Sequence, residues 1–140
     1  MEKENCIFCK IINGELPSKK VHEDDMSIAF LDISPVHIGH TLVIPKKHFE
    51  NIYNMPDDTA SHLIKIAKRI ANALKKSGAD GINITINNDK DAGQVIFHSH
   101  IHIIPRFKGD NIPMWPNKKP KEEEMTEIAE KITSALKDLR

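Results

Sequence analysis

The chain has 140 residues, enough for one domain with its own core and too few for two. Lys+Arg and Asp+Glu both number 20, so the formal net charge is zero, which argues against nucleic acid held by a broad positive field. The start, MEKENC, carries no apolar signal segment, and the longest apolar runs, such as TLVIP at 41–45, are far too short to span a bilayer. A cytoplasmic protein that engages neither membrane nor nucleic acid is expected.

Cys6 and Cys9 are the only cysteines and form a C-x-x-C. In a reducing compartment that spacing points to metal or redox chemistry rather than a structural disulfide. A thioredoxin-like use would want a strand ahead of the pair, and none is visible. A zinc site would need two more ligands, and His48 and His98 are candidates; two inert buried thiols are the plain alternative. Ser27–Ile33, SIAFLDI, predicts a strand ending at the Ser34-Pro35 turn, and His40–Pro45 predicts a second. Asp57–Lys76 predicts a helix, because Leu63, Ile66, Ile70 and Leu74 recur at three- and four-residue steps beside Ala67 and Ala71. Asp57 and Asp58 suit its N-terminus, and Lys75, Lys76 and Gly78 suit its end.

Ile82–Asn88, INITINN, alternates apolar and polar residues, as a half-buried strand does. After the turn-rich DKDAG at 89–93, VIFHSHIHIIP from Val95 predicts its hairpin partner. NKKPK at 117–121 predicts a solvated loop. From Glu122 a final helix is expected, with Met125, Ile128, Ala129, Ile132, Leu136 and Leu139 on one stripe. Strands and helices do not alternate regularly, so the expected class is α+β. The sheet is mainly antiparallel with about five strands, one long central helix and an additional C-terminal helix.

Within HSHIHIIPR, residues 98–106, His98, His100 and His102 hold alternate positions. On a strand they would share one face and Ser99, Ile101 and Ile103 the other. The outer two α-carbons would then lie ~13 Å apart, too far for three imidazoles to share one ion at bonds of ~2 Å. A division of labour is expected, with one histidine structural and two left for chemistry.

HSHIHII fits the H-x-H-x-H pattern, followed by two apolar residues, of the histidine triad family. CIFCKIINGELPSKKVHEDDMSIAFLDISPVHIGHTLVIPKKH and INNDKDAGQVIFHSHIHIIPR resemble the two halves of its nucleotide-binding branch, over Cys6–Arg106. The resemblance implies a histidine triad fold, usually homodimeric, over residues 1–140, with a core at 6–107 and an extension at 108–140. It also implies purine nucleotide binding and attack on the α-phosphorus through a covalent nucleotidyl-histidine. His100 matches the nucleophile, and His102 and His40 match its supporting histidines. Asn87 matches the position that tilts the substrate toward nucleoside 5′-phosphoramidates. Dinucleoside polyphosphate hydrolysis, or an adaptor or sensor of little turnover, is the alternative. Gly93 and Gln94 match a phosphate loop whose backbone N–H groups can point at an anion. Val95 stands where Ser or Thr is usual, so a side-chain donor is missing. Asp32 matches the carboxylate for the ribose hydroxyls. Phe8, Ile11, Leu16, Phe30, Leu31 and Ile33 match the purine pocket. Cys6, Cys9, His48 and His98 match the ligands of a structural zinc ion, one per chain, in a C-x-x-C subset. Trp115 corresponds either to a tryptophan that reaches the partner subunit's site or to an apolar anchor.

Overall fold

The structure is a computed structural model that describes residues 3–139. Its elements are α1 (Ile7–Ile12), β1 (Lys20–Glu23), β2 (Ser27–Leu31), β3 (Thr41–Pro45), α2 (Asp57–Lys76), β4 (Gly81–Ile86), β5 (Ile101–Arg106) and α3 (Glu122–Lys137), with a 3-10 turn at Lys90–Ala92. The five strands form one antiparallel sheet in the order β1-β2-β3-β5-β4. The α+β expectation holds, and so do the bounds of the long helix.

Each face of the sheet has its own cover, as the two-residue period of a strand requires. Ala29, Val43, Ile101 and Ile103 pack under Leu63, Ile66 and Ala67 of α2. Burying side chains such as Leu63 and Ile66 stabilises the fold by about 1.5–3 kcal/mol each. Ile28, Phe30, Leu42 and Ile44 point the other way and pack on Phe8 of α1. Acidic Asp57 and Asp58 open α2 and basic Lys75 and Lys76 close it, in agreement with the helix dipole. Asp24 ties the edge of the sheet to α2, because its carboxylate accepts from the backbone N–H groups of Met26 and Ser27 and lies 2.7 and 2.9 Å from the Nε2 atoms of His22 and His62.

Four elements depart from the sequence reading. The strand expected from Val95 begins only at Ile101, and its ladder with β3 stops at Val43 opposite Ile101. Pro45 has no N–H to extend that ladder, its carbonyl accepts from His98 Nε2, and the Ser99 N–H donates to the Phe49 carbonyl. His98 and His100 are therefore not on a regular strand as expected, although their rings stay on the α1 face of the sheet with His102, opposite Ile101 and Ile103. The strand expected over 27–33 ends at Leu31, where the Asp32 side chain captures the Ser34 N–H at 2.8 Å. The short elements α1 and β1 were not anticipated.

The described residues fall into two compact units, one ending at Asp110 and one starting at Asn111. The second holds α3, where Glu124 accepts from the Lys121 N–H at the helix start. Met125, Ile128, Ile132, Leu136 and Leu139 are all exposed on the single chain, and so is Trp115. No helix among the described residues is long and apolar enough to cross a membrane.

Candidate functional site

Two clusters of titratable side chains form on the face of the sheet that carries α1, and Phe8 touches both. Its ring meets His98 edge-on at 5.9 Å and His100 at 5.2 Å between centroids.

The first cluster joins Cys6, Cys9, His48 and His98, whose ligand atoms all lie within 4.8 Å of one another. The first turn of α1 makes the C-x-x-C local: Cys6 caps the helix, and its sulfur accepts from the Cys9 N–H at 3.4 Å. His48 follows β3. His98 is fully buried, and its Nε2 donates to the Pro45 carbonyl at 2.8 Å. That bond leaves a lone pair on Nδ1, which points into the corner. There Nδ1 stands 3.4 Å from Cys6 Sγ, 3.6 Å from Cys9 Sγ and 3.1 Å from His48 Nδ1, and Cys9 Sγ is 3.4 Å from His48 Nδ1. Tetrahedral bonds of ~2.3 Å to sulfur and ~2.05 Å to nitrogen place S···N pairs ~3.5 Å and N···N pairs ~3.3 Å apart. The donors fit such an ion in kind and spacing, and a carbonyl behind a ligating histidine is the usual way its tautomer is set. Burial brings His98 down to about 4 and lowers His48 too, so both imidazoles are neutral and able to ligate near pH 7.

The second cluster joins Asp32, His40, His100 and His102. The Val36 N–H donates to His40 Nδ1 at 3.1 Å, so His40 carries its proton on Nε2. His40 Nε2 lies 3.0 Å from His102 Nδ1 and 3.6 Å from Asp32 Oδ2. His102 Nδ1 accepts that proton's bond, and its own N–H is therefore on Nε2. The same tautomer excludes Asp32, His40 and His102 as a metal trio, because His40 Nε2 has no lone pair to offer while Val36 occupies Nδ1.

His100 has the opposite polarity. Its Nδ1 donates to the His98 carbonyl at 2.8 Å, which leaves the lone pair on Nε2. The His100 and His102 rings are 4.8 Å apart. One imidazole thus presents a lone pair and its neighbour an N–H. Burial lowers His40 and His100 from the ordinary imidazole value and takes His102 to about 4, so the whole row is uncharged at neutral pH. The structure places His98 in one cluster and His100 with His102 in the other, on a different backbone from the one foreseen.

The loop residues need two corrections. Gly93 N–H donates to the Lys90 carbonyl and Gln94 N–H to the Asp89 carbonyl, so neither amide is turned toward a ligand. Gln94 is 3% exposed, and its side-chain amide accepts from the Asp89 N–H and donates to the carbonyls of Glu50 and Ile96. Val95 is 86% exposed. Asn87 lies against Gly93, where a Cβ would meet its Nδ2 at 3.6 Å, and Gly93 adopts φ +91°.

The expected purine pocket divides as well. Phe8 and Phe30 are core residues packed edge-on at 5.4 Å, with Ile11 against them. Leu31 follows Phe30 on the strand and so faces the other side, into a cavity shared with Ile66, Ile70 and Leu74 of α2. Leu31 is thereby removed from any pocket that Phe30 lines. Leu16 and Ile33 are exposed, Ile33 almost completely.

A five-stranded antiparallel sheet carrying an H-x-H-x-H segment, with an imidazole lone pair beside an imidazole N–H, defines a histidine triad protein. The HIT domain matches residues 13–109, and the chain belongs to that family. An uncharacterised HIT-like protein of Methanocaldococcus jannaschii is 57% identical over 105 residues, covering 75% of this chain and 81% of its own. An adenosine 5′-monophosphoramidase of Schizosaccharomyces pombe is 36% identical over 136 residues, covering 95% and 99%. Among solved structures, a HIT family protein of Bacillus subtilis superposes with a TM-score of 0.86 at 44% identity, covering 94% of this chain and 96% of that one. A zinc-bound histidine triad protein of Mycobacterium smegmatis does so at 0.76 and 36%, covering 97% and 98%.

Proposed function

We propose that the chain is a nucleotidyl hydrolase that cleaves purine nucleoside 5′-phosphoramidates through a covalent histidine intermediate. The observation that carries this is the pairing of opposite tautomers, a lone pair on His100 Nε2 beside an N–H on His102 Nε2. His100 Nε2 attacks the α-phosphorus, a P–N bond to the ring forms, and the bond to the leaving amine breaks. The amine departs with a proton taken up from solvent. Water then attacks the same phosphorus, AMP is released, and its proton leaves to solvent as His100 returns neutral. The His102 N–H stabilises charge growing on a phosphoryl oxygen, while His40 holds the His102 ring in the donating tautomer.

Asp32 keeps one carboxylate oxygen for the Ser34 N–H and has the other toward the histidines, which suits a contact to the ribose hydroxyls. Asn87, held against Gly93, is the polar group beside the phosphoryl site, and the exposed Ile33 borders the base. The similarity to the Schizosaccharomyces pombe phosphoramidase supports the substrate class. Zinc is the metal proposed for Cys6, Cys9, His48 and His98, supported by their spacing and by the zinc-bound relative. There it supplies a structural cross-link between α1, the end of β3 and the segment before β5. A homodimer is proposed on family grounds.

The test is AMP release from adenosine 5′-phosphoramidate by the wild-type protein and by His100→Ala. A loss of several orders of magnitude in the variant, with AMP still bound, is the expected outcome. A variant that retains wild-type turnover overturns the nucleophile assignment.

A further inference from the structure

The metal corner and the nucleotide loop are joined by a dense set of hydrogen bonds that the chemistry above does not use. Residues 49–53 follow the ligand His48, and residues 88–99 lead from the loop to His98 and His100. Between them the Ile52 N–H donates to Asn88 Oδ1 at 2.9 Å, Tyr53 Oη donates to Asp89 Oδ2 at 2.7 Å, and the Ser99 N–H donates to the Phe49 carbonyl at 2.7 Å. The remaining tie is the Gln94 side chain, which donates to the Glu50 carbonyl two residues beyond His48. Tyr53–Asp89 and Ile52–Asn88 are exposed, whereas Gln94 is buried.

Gln94 also acts on a strained residue. Asp89 has φ 77° and ψ 157°, a region nearly reserved for glycine. Its N–H is taken by Gln94 Oε1, its carbonyl accepts from the N–H groups of Ala92 and Gln94, and its carboxylate accepts from Tyr53. The surroundings hold that backbone in place, and it in turn shapes the stretch between Asn87 and Gly93.

We propose that Gln94 is a positioning residue whose buried amide couples occupancy of the Cys6–Cys9–His48–His98 corner to the conformation of the 87–94 loop, and so to nucleotide affinity. The inference rests on the nucleotide reading above. A metal ion that draws His48 into place fixes residues 49–53, Gln94 carries that constraint to Asp89, and the loop then presents Asn87 in its binding position. Linkage requires the reverse effect of equal size, so AMP tightens the metal.

The experiment measures zinc affinity by competition with a chromophoric chelator, with and without saturating AMP, and AMP affinity with and without zinc. The wild-type protein is expected to show the same factor in both directions, about five-fold or more. In Gln94→Glu, which keeps the acceptor for Asp89 but loses both donors, each ligand still binds and the factor falls toward one. Asp89→Gly, which relaxes the strained backbone without touching the Gln94 core, is expected to reduce the factor as well and serves if the Gln94 variant does not fold. A wild-type factor of one, or the wild-type factor persisting in the variants, overturns the coupling alone. Wild-type protein that binds no AMP overturns the coupling and the nucleotide reading together.

Discussion

Phe8 touches both clusters, and replacing it separates core filling from alignment of the His100 ring. Its ring is 3% exposed and makes edge contacts to Phe30, His98 and His100. Phe8→Ala leaves a cavity beside Phe30 and Ile28, at a cost of about 3–5 kcal/mol. At roughly 2–4 °C per kcal/mol for a chain of this size, the melting temperature falls by about 6–20 °C. Phe8→Leu refills much of the volume but not the ring edges, each contributing about 0.5–1.5 kcal/mol. Its expected loss of stability is about 1.5–3 kcal/mol. The His100 ring, held edge-on at 5.2 Å, loses its lateral support in both variants. Turnover is therefore expected to fall in Phe8→Leu by more than KM changes. Urea unfolding of the zinc-loaded proteins and steady-state kinetics with adenosine 5′-phosphoramidate check the two halves. Phe8→Leu with reduced stability and unchanged kcat would refute the alignment role and leave Phe8 as core alone.

Stripping zinc with a chelator is expected to lower the melting temperature, with a loss of roughly 4 kcal/mol if free metal had stood at about a thousand times its dissociation constant; calorimetry of matched samples reads it, and no shift removes the metal from the corner. His102, taken from 6.5 to about 4 by burial, is neutral in the fold, whereas the unfolded chain gains a proton below 6.5. Its contribution is therefore full above pH 6.5 and declines as pH falls toward 4, and His102→Gln should flatten that part of a urea-derived stability profile; a profile parallel to wild type would count against the assignment. Burial pushes the Asp24 carboxyl up, but hydrogen bonds from His22, Met26, His62 and Ser27 outweigh it and hold the group well below the ordinary 3.8. The stability it supplies is present above that value and lost on further acidification, and Asp24→Asn should remove this acid sensitivity in unfolding curves. Gly93→Ala meets φ +91° rather than a steric wall, so it should cost about 1–2 kcal/mol and weaken AMP binding measured calorimetrically.

The long helix was legible because its apolar stripe runs over many turns, and the periodicity accumulates faster than any local exception. The histidine segment was legible as chemistry but not as backbone. Alternation of His98, His100 and His102 has the period of a strand, yet Pro45 on the neighbouring strand halts the pairing, and a single strand's pattern carries no information about its neighbour. Leu31 was misplaced for a related reason: adjacent residues on β2 face opposite sides, and resemblance alone assigned it and Phe30 to one pocket. Gln94 was read through its backbone N–H, whereas the structure employs its side-chain amide. Its three side-chain partners, Asp89, Ile96 and Glu50, lie on two separate stretches of chain that no local pattern joins. Six-residue α1 and four-residue β1 are too short for either periodicity to show.

Pro45 has a consequence for how this segment could be re-engineered. A residue with an N–H at that position would free the ladder to propagate from Ile101 back toward Ser99, and a regular pleat would carry the imidazoles of residues 98 and 100 to evenly spaced stations about two residues apart. The present kink instead turns the His98 ring toward the two sulfurs and the His100 ring toward His102.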